Sequence, residues 1–220
     1  MGLSDLFSRR RKDDTDSDTG ASDAPVHPTK ALPKFLQVLA ARQQPLPLDL
    51  GPVVGASLTF FGEQLGCKIF VEDLAKDIDR QAKEGKPEDP VAFYAKRFPQ
   101  ETGSIDGILC WDVFDFLDKA SAQALASQLK RILRPDGALL AFFNMAEAKT
   151  AEKPHYTRHV VVDPQNLQYR TYPAAQARQK PLQNRDIQRM FEPLRITEQF
   201  LLKSAVREVL FRKAAAPAAE

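Results

Sequence analysis

The sequence predicts a doubly wound α/β domain whose sheet is mostly parallel and finishes in an antiparallel strand. Three observations carry this reading. Short apolar runs without alternation recur between amphipathic helical stretches, as expected of strands buried on both faces. The longest helical stretch passes through Arg134-Pro135-Asp136-Gly137, a tight-turn sequence, into a continuous apolar run. The last two strand-like segments are joined by the short link Lys203 to Arg207, which pairs them antiparallel.

Residues 1 to 29 read as a disordered, charged tail. A basic run, Arg9 to Lys12, precedes the acidic, polar stretch Asp13 to Gly20, which has too little apolar surface to offset the entropy of ordering. No apolar region follows the basic run, so a secretory signal is not expected. The folded part is expected over residues 30 to 213, with a frayed Ala-rich tail over 214 to 220.

Leu32 to Arg42 places Leu32, Phe35, Leu36 and Leu39 at helical spacing, and Pro45 and Pro47 stop that helix. Leu46 to Leu50 is a short buried strand. Ser57 to Leu65 is a helix with Leu58, Phe61 and Leu65 on one face. Lys68 to Val71 is strand-like, Ala75 to Lys83 a polar helix, and Gly85 to Asp89 a loop. Val91 to Tyr94 fits either a strand or a helix. Gly107 to Trp111 is a clear strand, Ser121 to Leu133 a long amphipathic helix, and Ala138 to Phe143 another buried strand. An insertion over residues 144 to 183 then breaks the alternation of strands and helices. Arg158 to Val162 and Leu167 to Tyr172 alternate around Asp163-Pro164-Gln165-Asn166, a hairpin signal. Asn184 to Phe191 is a helix expected to be capped by Asn184. Ile196 to Leu202 and Glu208 to Arg212 are the final strands.

Composition narrows the function classes. Of 220 residues, 43% are apolar and 27% charged, which suits a soluble domain with a tail. No stretch approaches the ~18 to 20 apolar residues that a transmembrane helix needs. Lys plus Arg is 31 against 29 for Asp plus Glu, a net +2, which gives no strong nucleic-acid signal. Cys67 and Cys110 sit far apart in apolar runs and read as buried free thiols of a reducing, cytoplasmic compartment.

The central motif is Leu48-Asp49-Leu50-Gly51-Pro52-Val53-Val54-Gly55, a strand running into a glycine turn and then a helix. Glycines let a ligand approach the backbone, and the helix start offers free N–H groups. The acidic pair Glu72-Asp73 ends the next strand, where a carboxylate can accept both hydroxyls of a ribose. A dinucleotide would want Gly-x-Gly-x-x-Gly, which this turn lacks, and Pro52 removes one N–H from the loop.

On these residues the chain resembles the class I S-adenosylmethionine-dependent methyltransferases. Their first motif, Asp/Glu-x-Gly-x-Gly-x-Gly, is matched at Asp49, Gly51 and Gly55, with Val53 in place of the middle glycine. Ile105 to Leu117 looks like the family's fourth-strand motif. Leu129 to Leu140 is similar to its helix, Pro-x-Gly turn and fifth strand. The likeness spans about residues 32 to 213. It implies a Rossmann-like, seven-stranded sheet and S-adenosylmethionine as cosubstrate. The cofactor residues it implies are Asp49, Gly51, Pro52, Gly55, Glu72, Asp73 and Asp112. The family's adenine-binding carboxylate has no counterpart over residues 86 to 104.

The chemistry implied is methyl transfer to an unidentified acceptor, which depends on alignment and exclusion of water rather than on a side-chain nucleophile. No catalytic residue is assigned. Trp111, His155 and Tyr156 are candidates to border the acceptor, with Arg158 and His159 in the same insertion. The i, i+4 spacing of His155 and His159 suits a metal only on a helix, and the strand pattern after Pro154 leaves no metal expected. A methyltransferase-like fold serving as a non-catalytic binding or regulatory module is the alternative. Acceptor and oligomeric state carry no readable motif.

Overall fold

The computed structural model describes residues 24–52, 55–85, 89–147 and 153–216. The expected tail lies outside these up to residue 23, as do Val53, Val54 and the last four residues. In chain order the elements are β1 (Val26–Pro28), α1 (Leu32–Ala40), β2 (Pro47–Asp49), α2 (Gly55–Leu65), β3 (Phe70–Val71), α3 (Leu74–Glu84), α4 (Pro90–Arg97) and β4 (Ile105–Trp111). A 3-10 turn over Val113–Phe116 follows. The rest are α5 (Lys119–Ile132), β5 (Leu133–Asn144), β6 (His155–Asp163), β7 (Asn166–Pro173), α6 (Asn184–Phe191), β8 (Arg195–Leu201) and β9 (Val206–Arg212).

The main sheet runs β3-β2-β4-β5-β9-β8. Its first four strands are parallel, β9 is antiparallel to β5, and β8 is antiparallel to β9. From β2 the chain steps outward to β3, then returns to place β4 on the other side of β2. The strand order therefore reverses between β2 and β4, and the carboxyl ends of these strands border the crevice where such sheets bind ligands.

Both faces of the sheet are covered. Leu109, Ala138, Leu140 and Leu210 pack beneath α1 and α2 with Phe35, Leu39 and Phe61. The alternate residues Ile108, Leu139, Ala141 and Val209 pack beneath α3, α5 and α6 with Ile78, Leu125 and Phe191. This two-sided burial is why the strands read as unbroken apolar runs.

Several expectations are corrected. The sheet has six described strands rather than seven, because the stretch that would supply another is helix α4. Asp89 starts that helix by accepting Val91 N at 2.9 Å and Ala92 N at 3.1 Å, and Pro90 fits its first turn. Arg134 to Gly137 lies within β5 rather than forming a separate turn. Leu133 already pairs with Ile105, and the irregularity is taken up by a register shift and by Asp136 at φ 59. In α6 the capping position is Gln183, without a side-chain bond, so Asn184 is not the cap. On α2, Leu58 is exposed, and Ser57, Phe60 and Phe61 form the buried face. Cys110 is buried as expected, but Cys67 is only half-buried; both are free thiols. No helix among the described residues is long and apolar enough to cross a membrane.

The insertion forms the expected hairpin, and β1 joins it to make an antiparallel sheet β1-β7-β6. Strand β1 just precedes the expected start of the fold at residue 30. It becomes a strand through pairing with β7, which the local pattern of three residues does not announce. Hydrogen bonds on two helices help hold this small sheet to the main domain. Val161 N donates to Ser57 Oγ on α2 at 3.2 Å. Asp79 Oδ1 on α3 accepts from both Tyr156 Oη and Ala175 N at 2.8 Å.

Candidate functional site

The crevice is built around Asp49, the last residue of β2. Its Oδ1 accepts the N–H of Gly51 at 2.8 Å, closing the turn, and the indole N–H of Trp111 at 2.6 Å. Burial pushes the Asp49 carboxyl up to about 6, against the opposing pull of these two hydrogen bonds.

Trp111 ends β4 across the switch point. Its backbone is left-handed (φ 47), a conformation that costs a bulky residue about 1–3 kcal/mol and concentrates at ligand clamps and switches. The indole lies on the glycine turn: a Cβ added to Gly51 would stand 3.0 Å from Trp111 Cδ1 and 3.2 Å from Nε1. The His159 ring stacks on the indole at 5.0 Å with a 5° interplanar angle, and Phe142 meets it edge-on at 5.5 Å. Trp111 is 2% exposed.

Beside the indole sits an unusual concentration of buried ionisable groups. Asp112 is pushed up to about 7 by burial and by neighbouring Asp115. Asp115 is pushed up to about 6 by burial, while the N–H and Nδ2 of Asn144, at 2.9 and 2.5 Å, pull it down. Burial pushes His159 down to about 3. His159 Nδ1 lies 4.0 Å from Asp112 Oδ1, too far for a hydrogen bond. Around pH 6 both groups are therefore mainly uncharged, and they form no ion pair.

The acids after β3 are committed inside the protein. Glu72 pairs with Arg97, which also reaches Asp77 at 2.8 Å, and accepts Gln100 Nε2 at 3.4 Å. Asp73 caps α3 by accepting Lys76 N at 3.4 Å.

Gly51, Pro52, Trp111, Asp112 and Tyr156 line one cavity, closed on its other sides by Leu50, Ala75, Ile78, Val113, Phe116 and Thr157. Its volume is about 20 Å³. That holds one water, whereas cofactor pockets are on the order of 300 Å³ or more. Gly51, Pro52, Trp111, Asp112 and Tyr156 converge here, and the Trp111 indole occupies the space against Gly51. A larger groove of about 590 Å³ runs between α1 and β8–β9, lined by Lys34, Arg42, Glu198 and Arg212 among others. It includes none of the residues singled out from the sequence.

The structure thus gathers Asp49, Gly51, Pro52, Trp111, Asp112 and Tyr156, with Glu72 and Asp73 at the neighbouring strand end. It leaves two candidates aside. Gly55 opens α2 with nothing within 4 Å of an added Cβ, and His155 starts β6 with its Nδ1 3.3 Å from Lys153 O. Because His155 and His159 lie on a strand, they stand about 13 Å apart. Among the described residues no group of His, Cys, Asp or Glu could hold a metal. Sequence reasoning missed Asp115 and Asn144 as partners. It placed His159 in the covering insertion without foreseeing its stack on Trp111; no local signal pairs two residues on different sheets.

Residues 48–141 match a family profile described as a methyltransferase domain. No curated protein matches the sequence. Similar solved structures include the 1,6-didemethyltoxoflavin-N1-methyltransferase of Burkholderia thailandensis. It is 16% identical, with 84% of this chain and 78% of that one covered, at a TM-score of 0.46. Others are a SAM-dependent methyltransferase from Archaeoglobus fulgidus (10% identical, 83% and 91% covered, TM-score 0.45) and one from Aquifex aeolicus (14% identical, 82% and 88% covered, TM-score 0.41).

Proposed function

We propose that this chain, whose residues 48–141 match a methyltransferase domain, is a class I methyltransferase that carries out S-adenosylmethionine-dependent methyl transfer to an acceptor held under the β6–β7 hairpin. The observation that carries the reading is the switch point. Asp49 ends β2 with Gly51 just beyond it, Glu72 and Asp73 follow its parallel neighbour β3, and Trp111 ends β4 on the other side with Asp112 next in the chain. In the family the cosubstrate supplies an activated methyl group. On this chain Gly51 and Pro52 would give the backbone surface, Glu72 and Asp73 would accept the ribose hydroxyls, and Asp112 would face the cosubstrate from β4. Gly55, at the start of α2, would border the turn. Tyr156 and Trp111 would border the acceptor, with His155 at the hairpin's entry. No base for the acceptor is assigned.

The filled crevice favours a second reading, a non-catalytic binding or regulatory module on the same fold. Calorimetric titration with S-adenosylmethionine and S-adenosylhomocysteine separates the two. Methyl transfer requires a saturable site, and the double substitution Glu72→Ala/Asp73→Ala is expected to weaken it by about 2 kcal/mol through lost charge-assisted hydrogen bonds. Unchanged binding in the double variant would remove these acids from the ribose site. Absence of binding would leave the module reading.

A further inference from the structure

We propose that Trp111 is the gate of this crevice: its indole occupies the seat beside Gly51, and a nucleoside enters only when the indole leaves Asp49. The inference rests on the cosubstrate reading above and adds a requirement to it.

Three features of Trp111 converge on this role. The indole fills the close approach that the glycine turn leaves open, at 3.0 Å from an added Gly51 Cβ. Its N–H uses Asp49 Oδ1, the acceptor that also closes the turn. Its backbone is held left-handed at a β-bulge between Leu109 and Trp111, so relaxation to an ordinary φ supplies a path by which the side chain can swing away. The closed position is held by the His159 stack and the Phe142 edge, both apolar contacts with no covalent tie. With the gate shut the cavity holds one water; the apparent affinity for a nucleoside is then the intrinsic one reduced by the open fraction.

Trp111 is the chain's sole tryptophan, so its emission reports the gate directly. The full-length protein, Trp111→Phe and Trp111→Gly are titrated with S-adenosylhomocysteine by calorimetry, and the unsubstituted protein is followed by tryptophan emission as well. Phenylalanine keeps a ring on His159 and loses the bond to Asp49; glycine accepts φ 47 without strain. The gate predicts that binding red-shifts the emission as the indole reaches water. It also predicts that affinity rises by about tenfold or more in Trp111→Gly, with Trp111→Phe between. Binding by the variants alone supports the gate too, as one that stays shut in the isolated protein. Binding to the unsubstituted protein with unchanged emission and an affinity equal to that of Trp111→Phe overturns the gate while the cosubstrate reading stands. If the variants fold by circular dichroism and none of the three proteins binds, the cosubstrate reading falls and the gate with it. Should Trp111→Gly fail to fold, Trp111→Phe and the emission titration decide alone.

Discussion

Two glycines, one inside strand β4 and one in the turn just after its neighbour β2, are packed almost alike for opposite reasons. At Gly107, in β4, an added Cβ would meet Leu39 Cδ2 and Phe35 Cζ at 2.8 Å, where helix α1 lies down on the sheet. At Gly51 it would meet Trp111 Cδ1 at 3.0 Å and Asp49 Oδ1 at 3.1 Å. The first contact is ordinary core: its neighbours are apolar and fully buried. The second is packed nearly as tightly, yet it lies beside Asp49, Asp112, Asp115 and His159, all buried and all displaced from their ordinary titration range. Burying carboxylates costs stability, which an all-apolar contact such as that at Gly107 avoids. At Gly51, by contrast, titratable groups lie inside packing as dense as a core.

The largest effect expected from this contrast concerns pH. Asp112, with its folded-state value raised to about 7, contributes stability that is full below its unfolded value and lost as pH rises through 7. Asp112→Asn should remove that loss. Relative to the unsubstituted protein it should gain about 2–4 kcal/mol between about pH 4 and pH 8 in urea unfolding. His159 acts in the opposite sense: its stability is present above its unfolded value and lost as pH falls towards 3. A parallel pH dependence in the two proteins would mean that Asp112 is not the buried acid described above.

Gly107→Ala should cost about 1–3 kcal/mol in thermal unfolding, because Phe35 and Leu39 sit in a filled core with no room to retreat. Asp79→Ala removes the acceptor shared by Tyr156 and Ala175. It should cost about 1–2 kcal/mol and speed amide exchange along β6. Gly51→Ala is expected to be mildest of all, about 0.5–1 kcal/mol, with a shift in tryptophan emission as the indole gives way. A cost matching that of Gly107→Ala would make the two contacts equally rigid and dissolve the contrast.

Much of this was legible in the chain because it is written locally. Unbroken apolar runs gave the strands of the main sheet, and Asp163 to Asn166 gave the hairpin turn. The glycine turn and the acids after the next strand were likewise readable as strand-end features, and the structure puts them at the ends of β2 and β3. What was hidden depends on long-range pairing. Strand β1 exists only because β7 offers it an edge, and α4 replaced a strand where Asp89-Pro90 set a helix start inside an ambiguous apolar stretch. The Trp111–His159 stack joins two sheets and needs a left-handed backbone at a residue whose side chain gives no hint of one.

Glu208 carries a consequence for the order of folding. Helix α1 opens on Ala31 with no side-chain cap of its own. The N–H groups of Lys30 and Ala31 are met at 2.8 and 2.7 Å by the fully buried carboxylate of Glu208, supplied by β9 some 177 residues later. The first helix of the domain is thus completed by its last strand. Locally the helix start has only the long 3.4 Å bond from Leu32 N to Thr29 Oγ1, so its two short bonds need β9 beside β5, a closure across most of the polypeptide of the kind that topology makes slow.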